Sequence, residues 1–387
     1  MSEWKSHRLG DFLTLEYGKP LDKGDRKDDG LYPAYGANGV KCRSDKFYCE
    51  NETIIVGRKG SAGELTLTEE RFWPLDVTYF VKFDQSKYDL TFIYYLLSQL
   101  DLPSLATGVK PGINRNNVYS IGVRTPSIPE QQRIVAILDQ AFADIEKARA
   151  NAEKNLKNAR ELFDSYLNQV FSQRGEGWAS SQLKDITSKI GSGATPRGGN
   201  DSYKVEGTPL IRSMNVHDRR FVEKNIAFID DEQADKLNNV IVEENDVLLN
   251  ITGASVARCC VAHEDFLPAR VNQHVSIIRV DKTIVSPQFL NFLLTSKFYK
   301  DQLLGIGEAG STRQAITKAQ IENFTVDYPV QVSAQIELLE GLLSLENQTL
   351  KVHKIYKNKL ASLDELKKSL LQKAFSGELT KGEGRAA

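Results

Sequence analysis

Two kinds of apolar pattern alternate along this chain, and each occurs twice. The first is a set of short β-branched and aromatic runs separated by glycine-containing turns. Thr53-Ile54-Ile55-Val56 and Val77-Thr78-Tyr79-Phe80-Val81 belong to one set, and Val247-Leu248-Leu249 and Val275-Ser276-Ile277-Ile278 to the other. Such runs predict strands. A short helix follows each set, over residues 90–100 and 287–304. The second pattern is long and helical. Residues 130–172 contain no Pro and no Gly, and residues 333–376 contain only Gly341. In the first stretch apolar side chains fall at Ile134, Leu138, Ala141, Ile145, Ala148, Ala152, Leu156, Ala159, Phe163, Tyr166 and Val170. Steps of three and four with one extra four, after Ala152, describe a coiled-coil seam with a stutter. The second stretch places Leu342, Leu345, Thr349, Val352, Tyr356, Leu360, Leu363, Leu370 and Ala374 at corresponding points, with Lys367 interrupting the stripe. Ser333 is the expected N-cap of this helix and Gly377 its C-terminal stop.

These matches amount to a tandem duplication. Trp4, Leu9 and Asp11 reappear 174 residues later as Trp178, Leu183 and Asp185, while Leu167-Asn-Gln-Val-Phe-Ser172 reappears 204 residues later as Leu371-Gln-Lys-Ala-Phe-Ser376. The second copy is therefore the longer by about 30 residues, and Gly60/Gly253, Phe92/Phe289 and Pro126/Pro329 fall between the ends. The predicted fold class is α+β: two tandem mixed α/β domains joined by two long antiparallel coiled-coil helices with pseudo-twofold symmetry. The expected divisions are a first domain at 1–129, a central helix at 130–173, a second domain at 174–332, a C-terminal helix at 333–380 and a tail at 381–387. Contacts between the helices are expected at Ile134, Leu138, Ile145, Leu156, Phe163 and Tyr166 on one and Leu342, Leu345, Val352, Tyr356, Leu360, Leu363 and Leu370 on the other. A helix of this length is a rod of roughly 60 Å.

Composition narrows the chemistry. With 387 residues, 41% hydrophobic and 26% charged, the chain is of globular type. The N-terminal Met-Ser-Glu-Trp-Lys lacks the basic and apolar regions of a secretory signal, and no apolar run is long enough to cross a bilayer. Four cysteines (Cys42, Cys49, Cys259, Cys260) are too few for a disulfide scaffold, so a reducing cytoplasm is the expected setting. The search for catalysis returns little. Gly305-Ile-Gly-Glu-Ala-Gly310 matches a dinucleotide fingerprint, but it follows a helical stretch rather than a strand and reads better as a loop. There is no GxxxxGK[ST], HExxH or GxSxG, and the five histidines lack ligand spacing, so no catalytic residue, metal ligand or bound cofactor is expected.

The loops tell more. In the first domain Arg26, Lys27, Arg58, Lys59, Ser61, Lys110, Asn114, Arg115 and Asn116 cluster beside glycines. In the second, so do Thr195, Arg197, Arg212, Ser213, Asn215, His217, Arg219, Arg220, Asn272, Gln273, His274, Thr312, Arg313 and Gln314. Arg and Lys neutralise phosphates, and Arg, Asn and Gln make paired bonds to base edges. Fifty basic residues against fifty-one acidic give a net charge of −1, which does not advertise nucleic-acid binding. The total, however, averages basic loops over acidic residues elsewhere. Two similar domains on a rod also suit a duplex read at two half-sites roughly 34–36 Å apart. A standalone coiled-coil DNA regulator or scaffold is the alternative.

The chain resembles the DNA-specificity (S) subunit of type I restriction–modification systems. The resemblance spans nearly the whole length and rests on the layout together with Gly193-Ala194-Thr195-Pro196, Asn272-Gln273-His274-Val275, Ala315-Ile316-Thr317-Lys318, Ile128-Pro-Glu-Gln-Gln-Arg-Ile134 and Ser369-Leu-Leu-Gln-Lys-Ala-Phe-Ser-Gly-Glu-Leu379. The first domain departs from it at Tyr17-Gly18-Lys19-Pro20, which stands where a Gly-x-Thr-Pro turn is usual. The resemblance implies two target-recognition domains that bind a bipartite sequence in double-stranded DNA. It further implies two modification subunits that methylate adenine with S-adenosylmethionine, and restriction/translocase subunits that use ATP and Mg. The S subunit would itself be non-catalytic, its helices setting the half-site spacing and docking partners through exposed residues such as Lys351, Lys354, Lys357 and Lys359. A fused restriction–methylation protein with its own active site is a further alternative, and the missing Asn/Asp-Pro-Pro-Tyr/Phe motif argues against it.

Overall fold

The computed structural model describes residues 4–173, 175–308 and 314–380. The chain divides into two compact units, residues 1–153 with 357–387 and residues 154–356. Each unit takes the beginning of one long helix and the end of the other.

In the first unit a four-stranded antiparallel sheet runs in the order Leu13–Tyr17, Thr78–Phe83, Ile54–Gly57, Leu65–Leu67. A smaller sheet holds Gly39–Ser44, Tyr32–Gly36 and Trp73–Pro74, the last pair parallel. Strand periodicity explains how one sheet serves two cores. Ile54 and Val56 point into the main core with Leu13, Leu15, Val81 and Phe92, while Ile55 turns to the other side against Tyr35, Phe72 and Phe80. The second unit repeats this plan. Its main sheet runs Thr187–Ser192, Val275–Val280, Val247–Asn250, Cys259–Val261, and its smaller sheet Ala227–Ile229, Thr208–Ile211, Ala269–Val271, Ile241–Val242. Val247 and Leu249 enter one core and Leu248 the other. The vicinal cysteines follow the same rule, Cys259 facing the first core and Cys260 the second. Most of the extra length of the second copy falls between Ile211 and Val247, where the hairpin Val216–His217/Arg220–Phe221 and the helix Asp231–Asp235 are added.

The long helices span Ile128–Ser172 and Val332–Ser376. Inside each unit the helical segments run antiparallel. In the first, Arg149 pairs with Asp364, Glu146 with Lys367 at 3.5 Å, and Glu130 with Thr380. In the second, Asn155 donates to the Tyr356 hydroxyl at 3.0 Å, and Arg160 meets His353. Ile134, Leu138, Ile145, Phe163 and Leu342 are buried as the seam requires; Leu156, Leu345, Val352, Tyr356, Leu360, Leu363 and Leu370 are half-buried. Burying one such side chain completely is worth about 1.5–3 kcal/mol. Lys367 stays in the stripe by laying its ammonium 5.0 Å from the centre of the Phe142 ring.

Tyr166 is 40% exposed, yet its hydroxyl reaches the other long helix, 3.9 Å from where a Cβ on Gly341 would stand. Leu167 and Phe171 turn into the domain core instead, Phe171 packing on Phe289 with ring centres 5.3 Å apart. In the first unit Phe375 packs on Phe92 at the same distance. Ser333 is not an N-cap. It lies inside the helix, which Gln331 opens instead, its carbonyl accepting Ala334 N–H at 3.0 Å and Gln335 N–H at 3.3 Å. Gly377 ends the helix as expected, with φ +78°.

Candidate nucleic-acid interface

Three segments meet at one end of the main sheet in each unit. In the first unit they are the turn after strand Ile54–Gly57, the loop 107–113, and the strand end at Tyr17. Arg58 N–H donates to the Val77 carbonyl at 2.9 Å, Ile113 N–H to the Arg58 carbonyl at 3.1 Å, and Gly60 N–H to the Pro111 carbonyl at 3.0 Å. In the second unit Ile251 N–H donates to the His274 carbonyl at 2.9 Å, Ile316 N–H to the Ile251 carbonyl at 2.8 Å, and Gly253 N–H to the Gln314 carbonyl at 3.0 Å. The backbone framework is the same, so the side chains it presents can be compared position by position.

The first unit presents cations. Arg58 and Arg115 both lie over the Tyr17 ring, at 5.3 and 5.0 Å from its centre. Lys59, Lys110 and Asn116 are exposed beside them, and Ser61 is half-buried in the same turn. Asn114 caps the helix Arg115–Tyr119 by accepting Asn116 N–H at 2.9 Å. Arg26 and Lys27 belong to another loop. Arg26 Nε donates to the Leu21 carbonyl at 3.0 Å. Lys27 is paired with Asp45, which holds its pKa above the ordinary lysine value.

The second unit presents a hydrogen-bonded chain of side chains. Thr195 bonds Gln273, Gln273 Nε2 lies 3.2 Å from His274 Nε2, and His274 Nδ1 faces the Thr252 hydroxyl. Asn272 is buried beneath, its Oδ1 accepting His274 N–H at 3.0 Å. Arg197 and Arg220 are exposed, and His217 and Ser213 are half-buried. Gln314 donates to Glu308 at 3.0 Å. Thr312 and Arg313 lie outside the described residues, as do Ala309 and Gly310 of the dinucleotide-like motif. The rest of that motif is the end of helix Lys297–Glu308, with Gly307 packed near Val256 and Ile316.

Several candidates are turned to structural work. Arg219 is the clearest: its Nε donates to Glu346 at 2.8 Å, its Nη1 to Thr295 at 3.1 Å, and its guanidinium lies over Phe163 at 5.0 Å and Phe292 at 5.7 Å. With its side chain only 16% exposed, it fastens a turn to the helix rather than facing outward. Asn215 is fully buried, accepting Arg212 N–H at 3.0 Å and donating to the Val222 carbonyl at 2.9 Å. Arg212 donates to the Asn225 carbonyl and lies over Tyr203. Burial pushes the Cys260 thiol up to about 12 and Cys259 well above its usual value, so neither is a thiolate at neutral pH. Among the described residues no three His, Cys, Asp or Glu side chains group as metal ligands, and no helix is long and apolar enough to cross a membrane.

A family model described as type I restriction modification DNA specificity domain matches residues 1–154 and 175–362. The chain belongs to that family. Relatives of this DNA-specificity chain include the type I restriction enzyme EcoBI specificity subunit of Escherichia coli, 23% identical over 85% of this chain and 74% of the relative. The EcoKI specificity subunit of Escherichia coli strain K12 is 21% identical over 71% of this chain and 62% of its own length. Two solved structures share the fold. One, described as the structural basis of complex assembly and conformational transition of the type I R-M system, gives a TM-score of 0.78 at 17% identity, covering 97% of this chain and 98% of the other. The HsdS subunit from Thermoanaerobacter tengcongensis gives 0.60 at 18% identity, covering 97% of each chain.

The unusual turn of the first unit also finds its place. A Cβ on Gly18 would lie 2.0 Å from the Leu75 carbonyl oxygen, and one on Gly193 would lie 1.8 Å from that of Val271. Gly18 thus fills the role of Gly193 despite the different residues that follow. Tyr17 and Thr252 were missed by the sequence reading. Thr252 had a usable signal, since Thr252-Gly253 mirrors Lys59-Gly60 in the repeat. Tyr17, at the end of strand Leu13–Tyr17, had a weaker one, the departure of Tyr17-Gly18-Lys19-Pro20 from the usual turn.

Proposed function

We propose that this chain is the DNA-reading subunit of a type I restriction–modification complex, each unit reading one half of an asymmetric bipartite duplex target. The observation that supports this most is the shared backbone framework carrying arginines and lysines in one unit and a Thr-Gln-His-Thr chain in the other. Identical frames with different donors and acceptors suit two half-sites of different sequence. The proposed contacts are Arg58, Lys59, Ser61, Lys110, Arg115 and Asn116 in the first unit and Thr195, Arg197, Ser213, His217, Arg220, Gln273, His274 and Gln314 in the second. The long helices set the gap between half-sites and dock two modification subunits, which bring S-adenosylmethionine; restriction/translocase subunits bring ATP and Mg. Exposed Lys351, Lys354, Lys357 and Lys359 belong to that docking surface. The chain performs no chemistry on DNA itself.

The test is co-expression with the cognate modification subunit, followed by mapping of methylated adenines across a host genome. The expected result is one bipartite motif with two unlike halves. A contiguous motif, or no dependence of methylation on this chain, would overturn the reading.

A further inference from the structure

Arg58 differs from the other arginines of this surface in being fixed yet unfinished. Its main chain is bonded on both sides, N–H to the Val77 carbonyl and carbonyl to Ile113 N–H. One edge of its guanidinium is fixed too, Nε and Nη2 donating to the Asp76 carbonyl at 3.2 and 2.6 Å. The Tyr17 ring lies against its face. A guanidinium has five N–H groups in a planar fork. Two are taken by Asp76, and among the described residues no hydrogen bond engages Nη1. Three remain, two on Nη1 and one on Nη2, and the end they form is half-buried and held in place beside the exposed Lys59 and Lys110.

We infer that Arg58 is the guanine-reading residue of the first unit, its free end bonding O6 and N7 of one guanine in the major groove, and that Tyr17 positions it. The inference rests on the DNA-reading function proposed above and adds a base and a residue to it. A fixed planar fork suits a planar base edge, whose two acceptors have one geometry. A phosphate is met as well by the exposed ammonium groups of Lys59 and Lys110. The second unit cannot read its half in this way, since Ile251, 7% exposed, takes the place of Arg58 in the same backbone pattern.

The full chain, assembled with its modification subunit, is tested on its own target duplex with each guanine replaced in turn by 7-deazaguanine, which lacks N7. Binding is measured at low salt, where phosphate contacts keep weak variants on scale. For one guanine, the replacement should weaken the unaltered complex about ten-fold or more, whereas Arg58→Gln should bind both duplexes alike. Tyr17→Phe should keep the discrimination and Tyr17→Ala should reduce it. If Arg58→Gln stays sensitive at every guanine that matters to the unaltered complex, or none matters, Arg58 does not read guanine, although the DNA-reading function stands. If the unaltered complex has no preferred duplex at all, that broader function fails with it.

Discussion

Gln131 and Gln335 stand at matching points of the two units and do the same thing. Gln131 accepts Asp89 N–H at 2.9 Å and donates to the Lys87 and Pro126 carbonyls at 3.1 and 3.0 Å. Gln335 accepts Ser286 N–H at 2.8 Å and donates to the Ile284 and Pro329 carbonyls, both at 2.8 Å. Both amides are fully buried. A few strands away, Arg58 and Ile251 also share one backbone setting and have nothing else in common. The difference shows what the duplicated fold keeps and what it releases. Where a side chain joins a long helix to the sheet domain, both copies use one residue with one set of bonds. Where it faces outward from the turns, they diverge from paired arginines over a tyrosine to a Thr-Gln-His-Thr hydrogen-bonded chain.

The comparison can be broken first at the glutamines. Replacing Gln131 or Gln335 by Leu strands one amide and two carbonyls without partners, which should cost about 3–5 kcal/mol in each case. Urea unfolding of the two variants should give similar losses; a large loss in one and none in the other would show that the two joints are not equivalent. Gly18→Ala and Gly193→Ala should each cost about 2 kcal/mol, since the new methyl would collide with a carbonyl oxygen. A tolerated Gly18→Ala would remove the equivalence of those turns. Arg219→Gln should lose about 1–2 kcal/mol through the unpaired Glu346, with little change in the salt dependence of DNA binding. Arg220→Gln should leave thermal stability unchanged and flatten the salt slope.

The smallest effect concerns Asp84 and Asp281, whose carboxylates accept Ser86 and Thr283 hydroxyl and N–H groups respectively. These bonds hold the Asp84 carboxyl down at about 2 and lower that of Asp281. A carboxylate lowered in the folded state stabilises it above the unfolded value, and the gain disappears as pH falls through the folded one. The small advantage of the parent chain over Asp84→Asn should therefore be full at pH 6 and fade between about pH 4 and pH 2, read from thermal midpoints.

Much of the architecture was legible because it depends on periodicity. The helices needed no Pro-free luck beyond what their seams show, and Trp4/Trp178 with Leu167/Leu371 fixed the repeat. Tyr166 was legible as a contact between the helices, whereas Leu167 and Phe171 turn into the domain core through partners such as Phe289 that no helical period announces. The site was less legible. Arg58 and Arg219 both stand in polar turns and look alike in sequence, yet one ends in open surface and the other between Phe163, Phe292 and Glu346. A long side chain's destination is set by packing partners distant in sequence. Gln131 was visible only as part of a family-like signature, since nothing in a helical pattern marks a polar residue that will be buried.

The central claim is that the two units read different halves of one target. It is tested most directly by mapping the methylation motif for two variants of the complex, Arg58→Gln and Gln273→Ala. The account predicts that Arg58→Gln relaxes a position in one half of the motif and Gln273→Ala a position in the other, each leaving the opposite half intact. Relaxation of the same half by both variants, or of both halves by either, would contradict it.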